Sequence, residues 1–336
     1  MNILFIFLAF IILLLIPFIP VIVELLRPKD ALPLFIRMDY SKEPRYFGRS
    51  FKNILKNSVP ADASPGIREV KLSRDEKVEI ARSRRIGIGE NVDHILYING
   101  DLVSEDKARL NKEVYVNGNA SIGSMNTLRA IACEGRLSLS SNVSIVRWAD
   151  AEGKVEAGDS CNLGISISSG DELRVGRGCR FKRLYGIPII TYSRDDNAIG
   201  RHFATREVSD DAWIVDKDCM IVPPLTKVEG NLIVKKRLEV RKECVFVGSI
   251  KTYGDLTLEE GVRISGNIFS DGDIEIGENT TISGDVFSQG AIIIKKKARI
   301  GTPKEIKSVI GKMGITLGQD VIIYGYLMTE GSGMVI

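Results

Sequence analysis

The stretch GDLTLEEGVRISGNIFSDGDIEIGENTTISGDVFSQG, residues 254–290, repeats itself every 18 residues. Gly254-Asp255-Leu256-Thr257-Leu258 returns as Gly272-Asp273-Ile274-Glu275-Ile276, and again as Gly290-Ala291-Ile292-Ile293-Ile294. Gly248, Gly266 and Gly284 mark a second corner in the same register. A fixed period of this length is the signature of a stacked-coil architecture, in which each repeat buries its apolar face against its neighbours.

Outward from this stretch the frame runs from about 218 to 301, resumes at Ile315 after a short insert, and ends near Leu327. An upstream array has the same period: Leu137-Ser138-Leu139, Val155-Glu156-Ala157 and Leu173-Arg174-Val175. Gly100, Gly118 and Gly135 point to weaker coils before it. Each period supplies five apolar columns. One reads Leu238, Leu256, Ile274, Ile292, Ile315, and another reads Phe246, Ile264, Ile282, Ile300, Ile323. The fifth reads Ala149, Ile167, Tyr185, then Leu232, Ile250, Ile268, Val286 and Leu327. Apolar residues two apart are strand alternation, and Gly, Asp and Asn fill the corners between strands.

The predicted fold is therefore all-β: a right-handed parallel β-helix of 18-residue coils, with an N-terminal transmembrane helix. Left-handed hexapeptide β-helices share this period. They want a small residue four places after each aliphatic, where this chain has Glu260, Gly266, Gly272, Glu278 and Gly284. Large aliphatics recur two places on instead (Leu258, Ile264, Ile276, Ile282), which suits a wider coil.

Residues 254–290 resemble the bactofilins, the polymer-forming bacterial cytoskeletal family. The layout of apolar N-terminus, basic linker and long repeat body is most similar to the membrane-anchored, curved-cell-morphology members. The resemblance implies a right-handed β-helix, nucleotide-independent assembly by end-to-end stacking, and a scaffold role in bacterial cell shape or envelope organisation. Its implied partners are the chain itself and cell-envelope synthesis proteins. An extra upstream array and a frame break over 189–217 depart from the family pattern.

Composition fixes the surroundings. The 336 residues carry a net charge of +3, placed unevenly. Residues 1–26 hold only Glu24, while 27–85 hold 15 Lys/Arg against 8 Asp/Glu, leaving the body mildly acidic. Ile3–Leu26 is almost wholly apolar and as a helix would reach ~36 Å, enough to cross a bilayer. It lacks a basic n-region and a small-residue cleavage site, which favours a retained anchor over a signal peptide. The basic flank places the body in the cytoplasm of a single-pass inner-membrane protein. Five Cys without a CxxC pair accord with a reducing compartment.

The expected organisation is a transmembrane anchor (1–26), a basic juxtamembrane linker with an amphipathic helix at about 44–57 (27–90), an N-terminal array (91–188), a frame-breaking insert (189–217), a bactofilin-like array (218–330) and a tail (331–336). Arg27, Lys29, Lys42, Arg45, Arg49, Lys52 and Lys56 are the candidate contacts to an anionic membrane lipid surface, with a helix that packs on the body and keeps its charges in water as the alternative. Membrane proximity explains the basic cluster without nucleic acid. Leu317, Ile323, Leu327, Met328, Val335 and Ile336 make the C-terminal end of the stack apolar and are the candidate self-association residues. The tail folding back to close that end is the alternative.

No enzyme, cofactor or metal is expected. The runner-up reading, a left-handed β-helix acyltransferase on the membrane, would need a basic His at a coil cleft, and His202 is the only candidate, since His94 lies before the clear coils. Cys161, Cys179 and Cys244 share an inward column and read as small core residues. Asp195, Asp196, Asp210, Asp211, Asp216 and Asp218 read as a solvated loop rather than a sugar-cleaving pair. Gly87-Ile88-Gly89 lacks the third glycine of a dinucleotide fingerprint, and no P-loop is present. A non-polymerising membrane scaffold that binds one partner through 189–217 is the remaining alternative.

Overall fold

A computed structural model describes residues 43–59, 64–72, 75–192, 206–209, 213–215 and 219–336. The strands of these residues form one 34-stranded sheet system wound into a parallel β-solenoid of about 13 turns. At one strand spacing of ~4.8 Å per turn the rod is roughly 60 Å long. Each turn has three faces. Face one includes Ile250–Thr252, Ile268–Ser270 and Val286–Ser288; face two Leu256–Leu258 and Ile274–Ile276; face three Arg263–Ile264 and Thr281–Ile282. Within each array the strands pair in parallel with their counterparts one coil on, as Leu256↔Ile274↔Ile292↔Ile315.

The apolar columns are buried as their alternation requires. Leu256, Ile264, Ile268, Ile274, Ile282 and Val286 lie inside one continuous core. Cys161, Cys179 and Cys244 are buried free thiols in that core. The fifth column slips by one residue in the upstream array. Ile167 pairs with Leu184, not Tyr185, because that coil is one residue short, so Leu184 takes the interior and Tyr185 turns outward. Downstream, Val309 fills the column between Val286 and Leu327.

The corners explain the repeat's polar residues. Asp101, Asp159, Asp255 and Asp273 each accept, at 2.7–2.9 Å, a backbone N–H from the corner one coil on (Asn119, Arg177, Asp273, Ala291). Such bonds satisfy donors that the turn would otherwise leave unpaired. A second corner needs one left-handed residue per coil. Glu243, Asn279 and Lys297 take it at φ 59°, 55° and 61°, and Gly261 takes it at 73°.

The solenoid begins earlier than the repeat suggests. The hairpin β1 (Gly66–Lys71) and β2 (Asp75–Ala81) falls in the stretch expected as linker, and β2 pairs in parallel with Ile95–Ile98 as the first coil. The expected helix is present as α1 (Tyr46–Ser58). The expected anchor at 1–26 lies outside the described residues; among those described, no helix is long and apolar enough to cross a membrane.

The two arrays meet tip to tip. Strand Arg180–Thr191 closes the upstream array, pairing in parallel with Ser166–Ser169 and Leu173–Val175. Its other edge pairs antiparallel with strand Ile322–Val335, the last of the downstream array. Leu184 faces Leu327, Tyr185 faces Tyr326 and Gly186 faces Gly325, so the joint is pseudo-two-fold. Face one of one array runs directly into face one of the other.

Candidate assembly surfaces

The tip-to-tip joint corrects the expectation of an open C-terminal end. Leu317, Ile323, Leu327 and Val335 are buried, and Met328 is half-buried beside Arg183. Only Ile336 of the expected self-association residues is exposed. The apolar end is real, but this chain's own upstream array covers it. Gly331–Val335 are not a loose tail: they continue the last strand, paired with Gly314–Leu317.

The basic helix is likewise already engaged. α1 runs along the rod on face one of the upstream array, from the Asp150 coil toward β2. Arg45, at 5% exposure, donates from Nε and Nη2 to the two Asp150 oxygens at 2.8 and 2.9 Å, and from Nη1 to Glu152 at 2.7 Å. Lys52 donates to Glu134 at 2.7 Å, Lys56 reaches the same carboxylate, and Arg49 lies 3.9 Å from Glu152. Gly48 permits this approach: a Cβ there would lie 2.4 Å from the Asp150 side chain. Leu55 and Val59 complete the seat, in one apolar cluster with Ile95, Tyr97, Tyr115 and Trp148. Phe51 stacks edge-on against Trp148.

The electrostatics follow from this geometry. Burial opposes the Arg45 charge, but hydrogen bonds to Asp150 and Glu152 outweigh it and raise its pKa. Burial likewise works against ionised Glu134, yet its bonds to Lys52 and Tyr115 hold it below the usual carboxylate range. Glu152 is lowered chiefly by Arg45. Tyr115 is raised by burial and by its bond to Glu134. Four of the seven cations assigned to a lipid surface, Arg45, Arg49, Lys52 and Lys56, thus face carboxylates of the body. Arg27, Lys29 and Lys42 lie outside the described residues.

The catalytic candidates gain little. His94 Nε2 is 2.7 Å from Glu79, a carboxylate that also pairs with Arg84 at 3.1 Å, beside the β1–β2 hairpin in an open groove lined by Ile67, Arg68 and Lys77. Among the described residues no three His, Cys, Asp or Glu side chains gather as metal ligands. His202 and the acidic cluster at 195–218 lie outside the described side chains.

What sequence reasoning missed is the outward side of face one. In the downstream array its ladder carries Ile233, Lys251, Phe269, Phe287, Ile310 and Met328, stacked coil on coil and each half-exposed. The signal is in the sequence: these residues stand between two core positions on each strand and recur with the same period. No family model, curated protein or solved structure matches this chain.

Proposed function

We propose that the protein is a membrane-anchored, bactofilin-like structural rod, not an enzyme, that assembles without nucleotide and organises the bacterial cell envelope. In this reading the solenoid is right-handed, the apolar segment 3–26 spans the inner membrane once, and the body is cytoplasmic. Cell-envelope synthesis proteins are its clients. The observation that carries the reading is the uninterrupted stack itself. The described body forms a single rod. Among the described residues its outermost strands, Arg84–Ile86 and Asn91–Val92 at one end and Arg206–Ser209 and Trp213–Val215 at the other, each pair on one edge only. Unpaired β-edges are templates for further strands. Because the C-terminal tips are taken up by the internal joint, growth runs through the N-terminal coils of the two arrays, not through Leu317–Ile336.

The test is electron microscopy of the full chain in detergent after enzymatic removal of nucleotide. Rods in multiples of the ~60 Å unit are expected. Single rods at every concentration and salt would refute assembly.

A further inference from the structure

We propose that two copies associate face to face, each seating its helix α1 on the half-buried ladder Ile233–Met328 of the other; this rests on the scaffold reading and names its lateral contact. Face one is continuous across the joint but has two heights. On the upstream half it is covered by α1, which adds about 10 Å. On the downstream half the ladder Ile233–Met328 remains partly exposed. The molecule itself shows what covers this face: a helix laid along the rod.

The exposed side of α1 carries large apolar groups among its polar ones. Tyr46, Phe47 and Ile54 are 57%, 44% and 48% exposed, with Phe47 and Ile54 on one flank of the helix beside exposed Asn53 and Asn57. Arg45 is buried against Asp150, while Arg49 and Lys56 reach Glu152 and Glu134 from the exposed side of the helix.

The levels match. Gly48 sits over the Asp150 coil, two strand spacings above the joint strand Arg180–Thr191, and α1 rises from there past Glu134 to Tyr115. Below the joint, Phe287 lies two spacings from Ile322–Val335, and Phe269 three. A two-fold axis through the joint of two antiparallel copies brings Tyr46 and Phe47 of each over Phe287 of the other, and Ile54 over Phe269. One helix then fills the gap on each half, so the faces stay parallel. The arrangement is isologous and self-complementary. A flat bilayer would touch the raised half and leave the recessed ladder wet.

The experiment uses the full chain in detergent with Cys219→Ser, which removes the exposed thiol. Phe47→Cys and Phe287→Cys are introduced together and oxidised. Within one chain the two sites are about five strand spacings apart, ~24 Å, far beyond a disulfide. A covalent dimer is expected, and none from Phe47→Cys with Thr281→Cys, which lies on face three. Without cross-linking, Phe269→Asp with Phe287→Asp should raise the dimer Kd about 100-fold by sedimentation equilibrium, since each charge enters two seats. Assemblies that persist with no 47–287 cross-link and no effect of the Asp pair would overturn the proposal and leave the scaffold reading intact. A cross-linked dimer that never lengthens would support the proposal and sink the scaffold reading. In the Phe47→Cys variant, protection of the introduced thiol from a water-soluble maleimide only when phospholipid vesicles are added, without dimer, would assign the face to lipid and overturn the proposal.

Discussion

Replacing Arg45 by Met tests whether α1 is part of the body. The guanidinium is buried against Asp150, a residue 4% exposed. The Met side chain keeps the packing of the stem but leaves Asp150 with Ser168 Oγ, at 2.6 Å, as its remaining side-chain donor. Removing one partner of a buried pair costs about 3–5 kcal/mol. Against this, the helix is held by Leu55, Val59 and Phe51, each worth about 1.5–3 kcal/mol before ordering costs. The loss is therefore comparable to the whole hold, and α1 should open locally while the coils stay folded. Hydrogen exchange read by mass spectrometry should show protection of 46–58 falling by about two to nearly four decades, at 1.36 kcal/mol per decade, with the peptides of the downstream array unchanged. Adding Asp150→Ala removes the stranded charge and should recover most of the protection. Unchanged protection in the single variant, or a double variant no better than the single, would refute the assignment of this pair as the anchor of the helix.

Three further outcomes follow from the same geometry. Leu184→Ala and Leu327→Ala should each cost about 2–5 kcal/mol in urea unfolding, and because the two side chains face each other across the joint their costs should not add; strict additivity would mean that the tips are not in contact. Glu134 and Glu152 have lowered pKa values in the folded state, so their contribution is full above the unfolded carboxylate range and is lost as pH falls through the folded values; protection of α1 should hold from neutral pH down to that range and then collapse, and a loss nearer neutrality would contradict the carboxylate seat. Of the five thiols, Cys219 alone is exposed, whereas Cys133 is buried and its pKa is pushed up to about 12 chiefly by that burial; native alkylation followed by peptide mapping should label Cys219 first, and rapid labelling of Cys161 or Cys179 would show that the core opens.

The interior was legible and the exterior was not, for a physical reason. Core columns repeat because each coil must bury the same five positions, so Leu256, Ile274 and Ile292 announce themselves. The slip at Leu184 was hidden because a coil of 17 residues puts Tyr185 where the 18-residue frame wants an aliphatic, and an aromatic satisfies the pattern by eye. The joint leaves no period to detect: it pairs RLYG (183–186) with GYLM (325–328), segments far apart in sequence and read in opposite directions. The helix was visible, but its charged face was assigned to lipid or water. The complementary carboxylates stand at Glu134, Asp150 and Glu152, one coil apart and pointing outward, where surface acids are ordinary enough to pass without notice.

The seating of α1 also sets its direction on the body. Arg45 ties the start of the helix to Asp150 and Glu152, two spacings from the joint and so near mid-length of the rod. Lys52 and Lys56 hold its second half to Glu134, one coil further from the joint. Two attachments on successive coils fix the angle between helix and rod, which a single ion pair would leave free to swing.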